Sequence, residues 1–395
     1  MSAMDLSPAA ARRALGGLIA ATDDDAAAVE RFATVVWCHL AEPGDSAAGR
    51  IVGAYGAAGA LRLLLGGGAI AELSAKELAE ARKRWIGRVS ASVIDDSLRV
   101  AQARGVSLVT RADEHWPSQL DDLGPHAPLC LWVRGGSALL KRLNPSVAVV
   151  GARAATRYGD HVAMELAADL AGGGIPVVSG GAYGIDGAAH RAALTVGGLT
   201  VAFLAGGADR AYPAGHTQLI DDIARSGVVV SEVPCGSAPT KWRFLQRNRL
   251  IAAVTDATVV VEAGWRSGSL NTAGHAAALS RGLGAVPGPI TSAASAGTHR
   301  LLRDYGAQCI TSADDVRELL GMGTRDAGPA DRSPMTDDTT RVRDALSARS
   351  WRDPLDVARR AGMAADEVEA RLGILLLEGL VEAGAAGWRL VPPKS

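Results

Sequence analysis

The sequence predicts an α/β protein with a central parallel sheet covered on both faces by helices, a small helical domain before it and a winged helix after it. Helical periodicity dominates to about residue 105, and short apolar runs then alternate with amphipathic segments to about residue 320. Beyond a polar, Gly- and Pro-rich segment at 321–338, helical patterns and a short hairpin follow. The predicted organisation is therefore a helical domain at 1–105, a core at 106–320, a flexible linker and a winged helix at 339–395.

Composition excludes several classes of protein. The 395 residues are 48% hydrophobic and 21% charged, which is ordinary globular usage and excludes a disordered chain. The formal net charge is -1, so a nucleic-acid partner requires a local basic patch. Four dispersed cysteines without a C-x-x-C pair favour the reducing cytoplasm. The uncharged run 192–208 contains two Gly-Gly pairs typical of turns, so no membrane association is expected.

The first 105 residues predict a packing domain. Helices are predicted at Ala26–Leu40, Ala47–Leu65 and Ala75–Arg104, where apolar residues recur every three or four positions. A degenerate DNA-contacting helix-hairpin-helix at 44–53 is the alternative. That segment lacks the compact glycine hairpin and the basic residues of such a motif, so packing is favoured.

The central part predicts seven strands and five helices. The strands are Leu129–Val133, Val147–Val150, Pro176–Ser179, Thr200–Leu204, Val228–Ser231, Thr258–Val261 and Gly284–Val286. The helices are Gly159–Ala171, Ile185–Val196, His216–Arg225, Gln246–Val254 and Gly268–Ser280. Continuous apolar strands separated by helices are typical of a parallel sheet, which binds ligands beyond the carboxyl ends of its strands.

The C-terminal part predicts a winged helix. Helices at Thr340–Ala348, Pro354–Arg360 and Ala365–Leu377 precede a short hairpin formed by 380–381 and 388–391. Winged helices usually read DNA through the helix that follows the turn. Here that helix carries mostly acidic side chains, namely Asp366, Glu367, Glu369 and Glu378 against the single Arg371. Because these carboxylates would repel phosphates, the domain is predicted to contact protein.

Two glycine-containing loops follow predicted strands. In the loop 151–159, backbone N–H groups and the guanidinium groups of Arg153 and Arg157 are predicted to face an anion at a helix start. The loop matches neither the P-loop nor the G-x-G-x-x-G pattern, and a tight turn with surface arginines is the alternative. The second loop, 179–190, places Asp186 and His190 four residues apart. A metal or acid–base site there is disfavoured, since no third ligand accompanies them.

The most informative stretch is Lys241–Arg249. It holds four basic residues, no acidic ones and two aromatics, a combination suited to single-stranded nucleic acid. Its candidate binding residues are Lys241, Phe244, Arg247, Asn248 and Arg249. The alternative is a solvated helix start whose aromatics anchor it to the sheet.

A further loop follows the strand Thr258–Val261. Ser267, Gly268 and Ser269 are predicted to present N–H and hydroxyl donors to a phosphate at the start of the next helix. Glu262 could be a catalytic carboxylate in this loop. A structural Glu that pairs with an arginine is the favoured interpretation.

Taken in order, these motifs resemble the DNA-processing protein A (DprA/Smf) family. The matching segments are Val149–Arg153, Val177–Gly180, Gly184–Asp186, Ala189–His190, Tyr212–Pro213, Ser231–Glu232, Phe244 with Arg247–Arg249, Val261–Ala263, Ser267–Ser269 and Val286–Gly288. They cover about residues 113–307. The resemblance is weaker in the winged helix.

This resemblance implies an extended Rossmann-like fold and a homodimer that binds single-stranded DNA. It also implies protection of incoming DNA and loading of the RecA recombinase during natural transformation or related recombination. By position, Arg153, Gly180, Phe244, Arg247 and Arg249 would contact the DNA.

Two departures from the family's pattern predict weaker DNA affinity. Tyr183 stands where the family usually has Arg, and Ala214–His216 follow Tyr212–Pro213 where a Lys-Glu-Asn type sequence is usual. Each departure removes a positive charge.

No enzyme activity, cofactor or metal is expected. The chain has no Walker lysine and no cluster of metal-binding carboxylates, so no catalytic residue is assigned. The alternative is a nucleotide phosphoribohydrolase-like enzyme of a related Rossmann variant. Its P-G-G-x-G-T loop is absent here, where the region reads Glu262-Ala-Gly-Trp-Arg-Ser-Gly-Ser. A scaffold that binds only protein is the third possibility.

Overall fold

The computed structural model describes residues 5–19, 23–88, 90–323 and 338–391. The chain divides into two compact units, one within 1–324 and one within 325–395. The first unit contains both the N-terminal helices and the central sheet, and its division at residue 105 stays a prediction. The predicted linker, 321–338, lies mostly outside the described residues. Within the described ranges, no helix is both long and apolar enough to cross a membrane.

In the described part of the chain, five α-helices precede the sheet. They are α1 Pro8–Leu15, α2 Asp25–Leu40, α3 Ser46–Gly66, α4 Ala75–Ile86 and α5 Ala91–Ala103. The single helix predicted at Ala75–Arg104 is therefore wrong. Gly87 ends α4, and Ser90 is the N-cap of α5. A glycine followed shortly by a serine is a typical helix stop and restart.

The N-terminal helices pack directly on the sheet. Trp37 of α2 and Trp85 of α4 meet edge to face with their ring centroids 5.2 Å apart. They share one buried apolar cluster with Trp132 and Leu204 of the sheet. Cys38 of α2 and Cys130 beside the sheet have their sulfurs 3.4 Å apart, and both are free thiols.

Nine strands of the described residues form the sheet. They are β1 Val106–Val109, β2 Leu131–Gly135, β3 Val147–Val150, β4 Val177–Ser179, β5 Thr200–Leu204, β6 Val228–Ser231, β7 Ala257–Val260, β8 Gly282–Ala285 and β9 Gln308–Cys309. Their order is β1-β2-β6-β5-β4-β3-β7-β8-β9. All seven predicted strands occur, with bounds within two residues of the prediction.

The sheet is mostly rather than wholly parallel. Among the described strands, β2 alone runs against the others, since it pairs antiparallel with both β1 and β6. The physical reason lies in the connection from β1 to β2, which contains a 3-10 segment at Ser118–His126 but no α-helix. Parallel neighbours need a helical crossover, so this connection returns the chain in the opposite direction.

Within 90–323, seven α-helices cover or flank the parallel part. They are α6 Arg157–Gly172, α7 Ile185–Thr195, α8 Thr217–Ser226, α9 Lys241–Val254, α10 Ser269–Ala278, α11 Ala296–Asp304 and α12 Ala313–Leu319. The strands alternate their side chains between two cores. In β3, Val147 and Val149 belong to one apolar cluster and Ala148 and Val150 to the other. Burial on both faces explains why these strands are continuous apolar runs.

The described residues of the second unit, 338–391, form three helices and a hairpin. They are α13 Asp338–Asp344, α14 Pro354–Ala361, α15 Ala365–Leu377, and the antiparallel strands β10 Val381–Gly384 and β11 Gly387–Leu390. A small core formed by residues such as Val357, Val368 and Leu372 holds them together. The winged-helix class and its contact with protein stay predictions.

Candidate nucleic-acid interface

A cleft of about 700 Å³ lies at the carboxyl ends of the central strands. The strand order reverses at β3, whose neighbours β4 and β7 continue the sheet in opposite directions. Loops after β3 and β7 therefore diverge and leave a crevice between them. Helix α9, the connection from β6 to β7, closes one side of this crevice.

Eight of the ten predicted site residues line this cleft. They are Arg153, Lys241, Phe244, Arg247, Asn248, Ser267, Gly268 and Ser269. Gly180 and Arg249 are not among the described lining residues. Lining residues that sequence reasoning missed include Tyr212, Thr240, Arg266 and Thr272.

The basic, aromatic stretch is the first half of a helix. The predicted start at Gln246 is wrong, because α9 begins at Lys241 with Thr240 as its N-cap. The Thr240 hydroxyl accepts a hydrogen bond from the Arg243 N–H at 3.2 Å. Thr240 after Pro239 is a helix-start signal. The first turn of α9 has no apolar periodicity, so the periodicity of the sequence did not indicate that the helix begins at Lys241.

Two of the four basic side chains of α9 form ion pairs within the protein. Arg243 donates to both carboxylate oxygens of Glu42 on the segment after α2, each at 2.9 Å. Arg249 is buried and pairs with Glu232 at 2.6 Å. This burial and ion pair favour a structural role for Arg249, and its contact with DNA stays a prediction.

Arg247 forms part of the cleft floor. Its Nη1 donates to the carbonyl oxygens of Gly180 and Phe203, both at 2.6 Å. Burial lowers the pKa of Arg247 to about 10, while the Asp186 carboxylate acts in the opposite direction. A Cβ at Gly180 would lie 2.0 Å from Arg247 Nη1. Gly180 therefore makes room for the arginine from a buried position behind the cleft.

Arg153 and two aromatic rings meet above this floor. The Arg153 guanidinium carbon lies 4.6 Å from the Phe244 ring centroid, within the range of a cation–π contact. The Tyr212 ring is tilted against Phe244 at 5.5 Å. Arg153 and Tyr212 are exposed, and Phe244 is half-buried. The phenyl ring thus positions both side chains at the mouth of the cleft.

The opposite wall is the start of α10. Gly268 is the helix N-cap, and the hydroxyls of Ser267 and Ser269 lie 2.7 Å apart. The Asn248 amide donates to the Gly268 carbonyl at 3.2 Å and to Asn271 at 3.3 Å. Asn248 therefore fixes the distance between α9 and this wall.

Asp186 and His190 form hydrogen bonds that stabilise the fold. Asp186 accepts hydrogen bonds from the N–H groups of Gly180 at 3.2 Å and Ala182 at 3.4 Å, and burial raises its pKa. His190 is fully buried with its Nδ1 2.7 Å from the Thr200 hydroxyl. Burial lowers the pKa of His190 to about 3, which keeps the ring neutral. In the part of the chain that the structure describes, no group of three or more His, Cys, Asp or Glu could hold a metal ion.

The Glu262 carboxylate is also hydrogen-bonded within the protein. Its carboxylate accepts hydrogen bonds from the Thr156 N–H at 2.9 Å and the Thr156 hydroxyl at 2.6 Å. It is buried at the start of α6, where the helix dipole favours a negative charge. The predicted pairing of Glu262 with an arginine is thus replaced by pairing with a helix cap.

The cleft carries a local positive charge although the formal net charge of the whole chain is -1. Its described lining contains Arg153, Lys241, Arg247 and Arg266 against the single carboxylate of Asp186. The N-termini of α9 and α10 add backbone N–H groups that favour an anion. Cations, helix starts and aromatic rings together suit a polyanion that carries aromatic bases.

Comparisons with known proteins agree with this geometry. Residues 107–321 match the family model described as DNA recombination-mediator protein A. The putative DNA processing protein DprA of Mycobacterium tuberculosis is 46% identical over 311 residues, which cover 75% of this chain and 80% of that protein. Protein Smf of Escherichia coli is 34% identical over 303 residues, with the same coverages of 75% and 80%. The crystal structure of DNA processing protein A from Streptococcus pneumoniae superposes with a TM-score of 0.59 and 28% identity, covering 73% of this chain and 96% of that one.

Proposed function

This chain belongs to the DNA recombination-mediator protein A family, and on that premise we propose that it binds single-stranded DNA along the cleft. The observation that carries the proposal is the pairing of exposed cations with aromatic rings at one crevice of the sheet. Single strands bind through phosphates and through bases that stack on aromatic side chains. In a duplex the bases are paired and stacked on one another, so they cannot reach Tyr212 or Phe244.

Each part of the cleft has a proposed role. Arg153, Lys241 and Arg266 are exposed and would pair with phosphates. Ser267 and Ser269 would offer hydroxyl and backbone donors to a further phosphate at the start of α10. Arg247 and Asn248, which are buried, would hold the two walls in place.

We expect salt-sensitive binding of a single-stranded oligonucleotide in preference to a duplex of the same length. Three exposed cations predict a slope of log K against log[salt] of about −2, since each phosphate contact on a single strand contributes about 0.7. Fluorescence anisotropy titrations at several salt concentrations measure both quantities. Equal affinity for the duplex would refute the proposal. A much steeper slope would place further cations in the site.

The resemblance to the family supports two finer proposals. We propose that the protein acts as a cytoplasmic homodimer that loads RecA onto single-stranded DNA during natural transformation or related recombination. If the protein loads RecA, it should speed RecA assembly on DNA that is already coated by a single-strand-binding protein. Sedimentation measures whether the protein is a dimer. RecA assembly that is unchanged by this protein would exclude the loading role.

We also propose that the protein is not an enzyme. Glu262, the carboxylate that a phosphoribohydrolase-like mechanism would require, is buried and hydrogen-bonded to Thr156. This contact gives no support to the enzymatic alternative. A nucleotide-hydrolysis assay beside the DNA titration separates the two functions.

A further inference from the structure

We propose a second base-stacking site, formed by Trp265, Arg300 and Tyr305, that takes a nucleobase of the strand leaving the cleft. The inference rests on the proposed function, because it extends the path of the same DNA. Trp265 lies in the loop after β7, while Arg300 and Tyr305 lie on α11 and at its end.

Backbone contacts hold the loop and α11 together. The Gly297 N–H donates to the Ala263 carbonyl at 2.7 Å, and the Ala263 N–H donates to the Ala294 carbonyl at 2.9 Å. A Cβ at Gly297 would lie 2.8 Å from the Gly264 carbonyl oxygen, so only glycine allows this close approach. The first turn of α11 therefore fixes Arg300 beside Trp265.

Arg300 lies close to two exposed aromatic rings. Its guanidinium carbon is 5.3 Å from the Trp265 ring centroid and 5.4 Å from that of Tyr305. Its Nη2 also donates to the Tyr305 hydroxyl at 3.1 Å. Trp265 nevertheless remains 57% exposed and Tyr305 46% exposed. The guanidinium thus holds the indole in one orientation while much of the ring stays open to a ligand.

The position of Trp265 points to nucleic acid as the ligand. Its chain neighbours Gly264 and Arg266 both line the cleft. Consecutive Cα atoms are about 3.8 Å apart, so one further nucleotide beyond the cleft would reach the indole. Exposed Arg266 and half-buried Arg300 supply positive charge for the accompanying phosphates. An indole flanked by cations is a sequence-tolerant platform for any base.

Length-dependent DNA binding tests this proposal. A short oligonucleotide that fills only the cleft and one extended by several nucleotides at both ends are titrated with the wild type, Trp265→Ala and Trp265→Phe. We expect the wild type to bind the longer strand more tightly. Trp265→Ala should lose about 5- to 150-fold affinity for the longer strand, the effect of one stacked base, and keep its affinity for the short one. Trp265→Phe should retain most of the gain, and melting curves check that both variants are folded.

The outcomes separate this site from the cleft. Failure of the wild type to bind the short strand would refute the proposed function itself. A wild type that binds both lengths equally, or a Trp265→Ala protein that keeps the gain with length, would refute only the second site. An equal loss for both lengths would overturn it as well, because Trp265 would then belong to the cleft.

Discussion

Replacing Arg249 by alanine is expected to destabilise the protein by about 3–5 kcal/mol while the folded molecule keeps its affinity for single-stranded DNA. The Arg249 side chain is 4% exposed, and its Nη2 lies 2.6 Å from a carboxylate oxygen of Glu232. Within the described residues, Nε and Nη1 of Arg249 have no partner, so the value of this arginine lies in neutralising Glu232. Truncation would leave that carboxylate buried and unpaired. Urea unfolding measures the stability, and anisotropy measures the binding.

A paired replacement provides the control. Glu232→Gln combined with Arg249→Met removes both charges, and it should recover much of the stability that the single change loses. A well-folded Arg249→Ala protein with greatly reduced DNA affinity would contradict the structural role. Arg249 would then contact DNA, as the resemblance implies.

Arg153→Ala and Phe244→Ala are expected to weaken DNA binding in different ways. Loss of a phosphate contact should flatten the slope of log K against log[salt] by about 0.7. Loss of a stacking ring should leave the slope nearly unchanged and cost about 1–3 kcal/mol at every salt concentration. The Arg153 guanidinium carbon lies 4.6 Å from the Phe244 ring centroid, so the two side chains are in contact. The double variant should therefore lose less binding free energy than the sum of the two single losses.

Melting measurements decide whether Phe244 belongs to the site or to the core. A core anchor would lose about 3–5 kcal/mol of stability on truncation, and the melting temperature would fall together with binding. The ring is only half-buried, so we expect a smaller loss of stability. Wild-type affinity in a well-folded Phe244→Ala protein would remove this residue from the site.

The buried sheet could be predicted closely from sequence. The bounds of β3, β5 and β6 agree with the prediction at every residue, because strands buried on both faces read as short, mainly apolar runs. The direction of β2 could not be predicted in this way. It depends on pairing with β6, about a hundred residues further along the chain, and apolar pattern carries no information on direction.

The site was predicted in part for a similar reason. Loops that follow neighbouring parallel strands meet at one edge, so the segments around Arg153 and Ser267 could be brought together from sequence. The side of a helix on which a charge lies is a separate question. Arg247 and Arg249 are two positions apart, which places them on nearly opposite faces of α9. The spacing of Arg247 and Arg249 in the sequence therefore indicates that both side chains cannot face the cleft.

The pairing of β3 with β7 has a consequence for how the protein folds. Ser146 at the start of β3 donates its N–H to Asp256 beside β7, 110 residues away. Closing so long a loop costs chain entropy before the contacts at its ends compensate for it, and folds rich in such contacts form slowly. We therefore expect the two walls of the cleft to meet late in folding. A partly folded chain should then lack the site, and DNA binding should require the completed sheet.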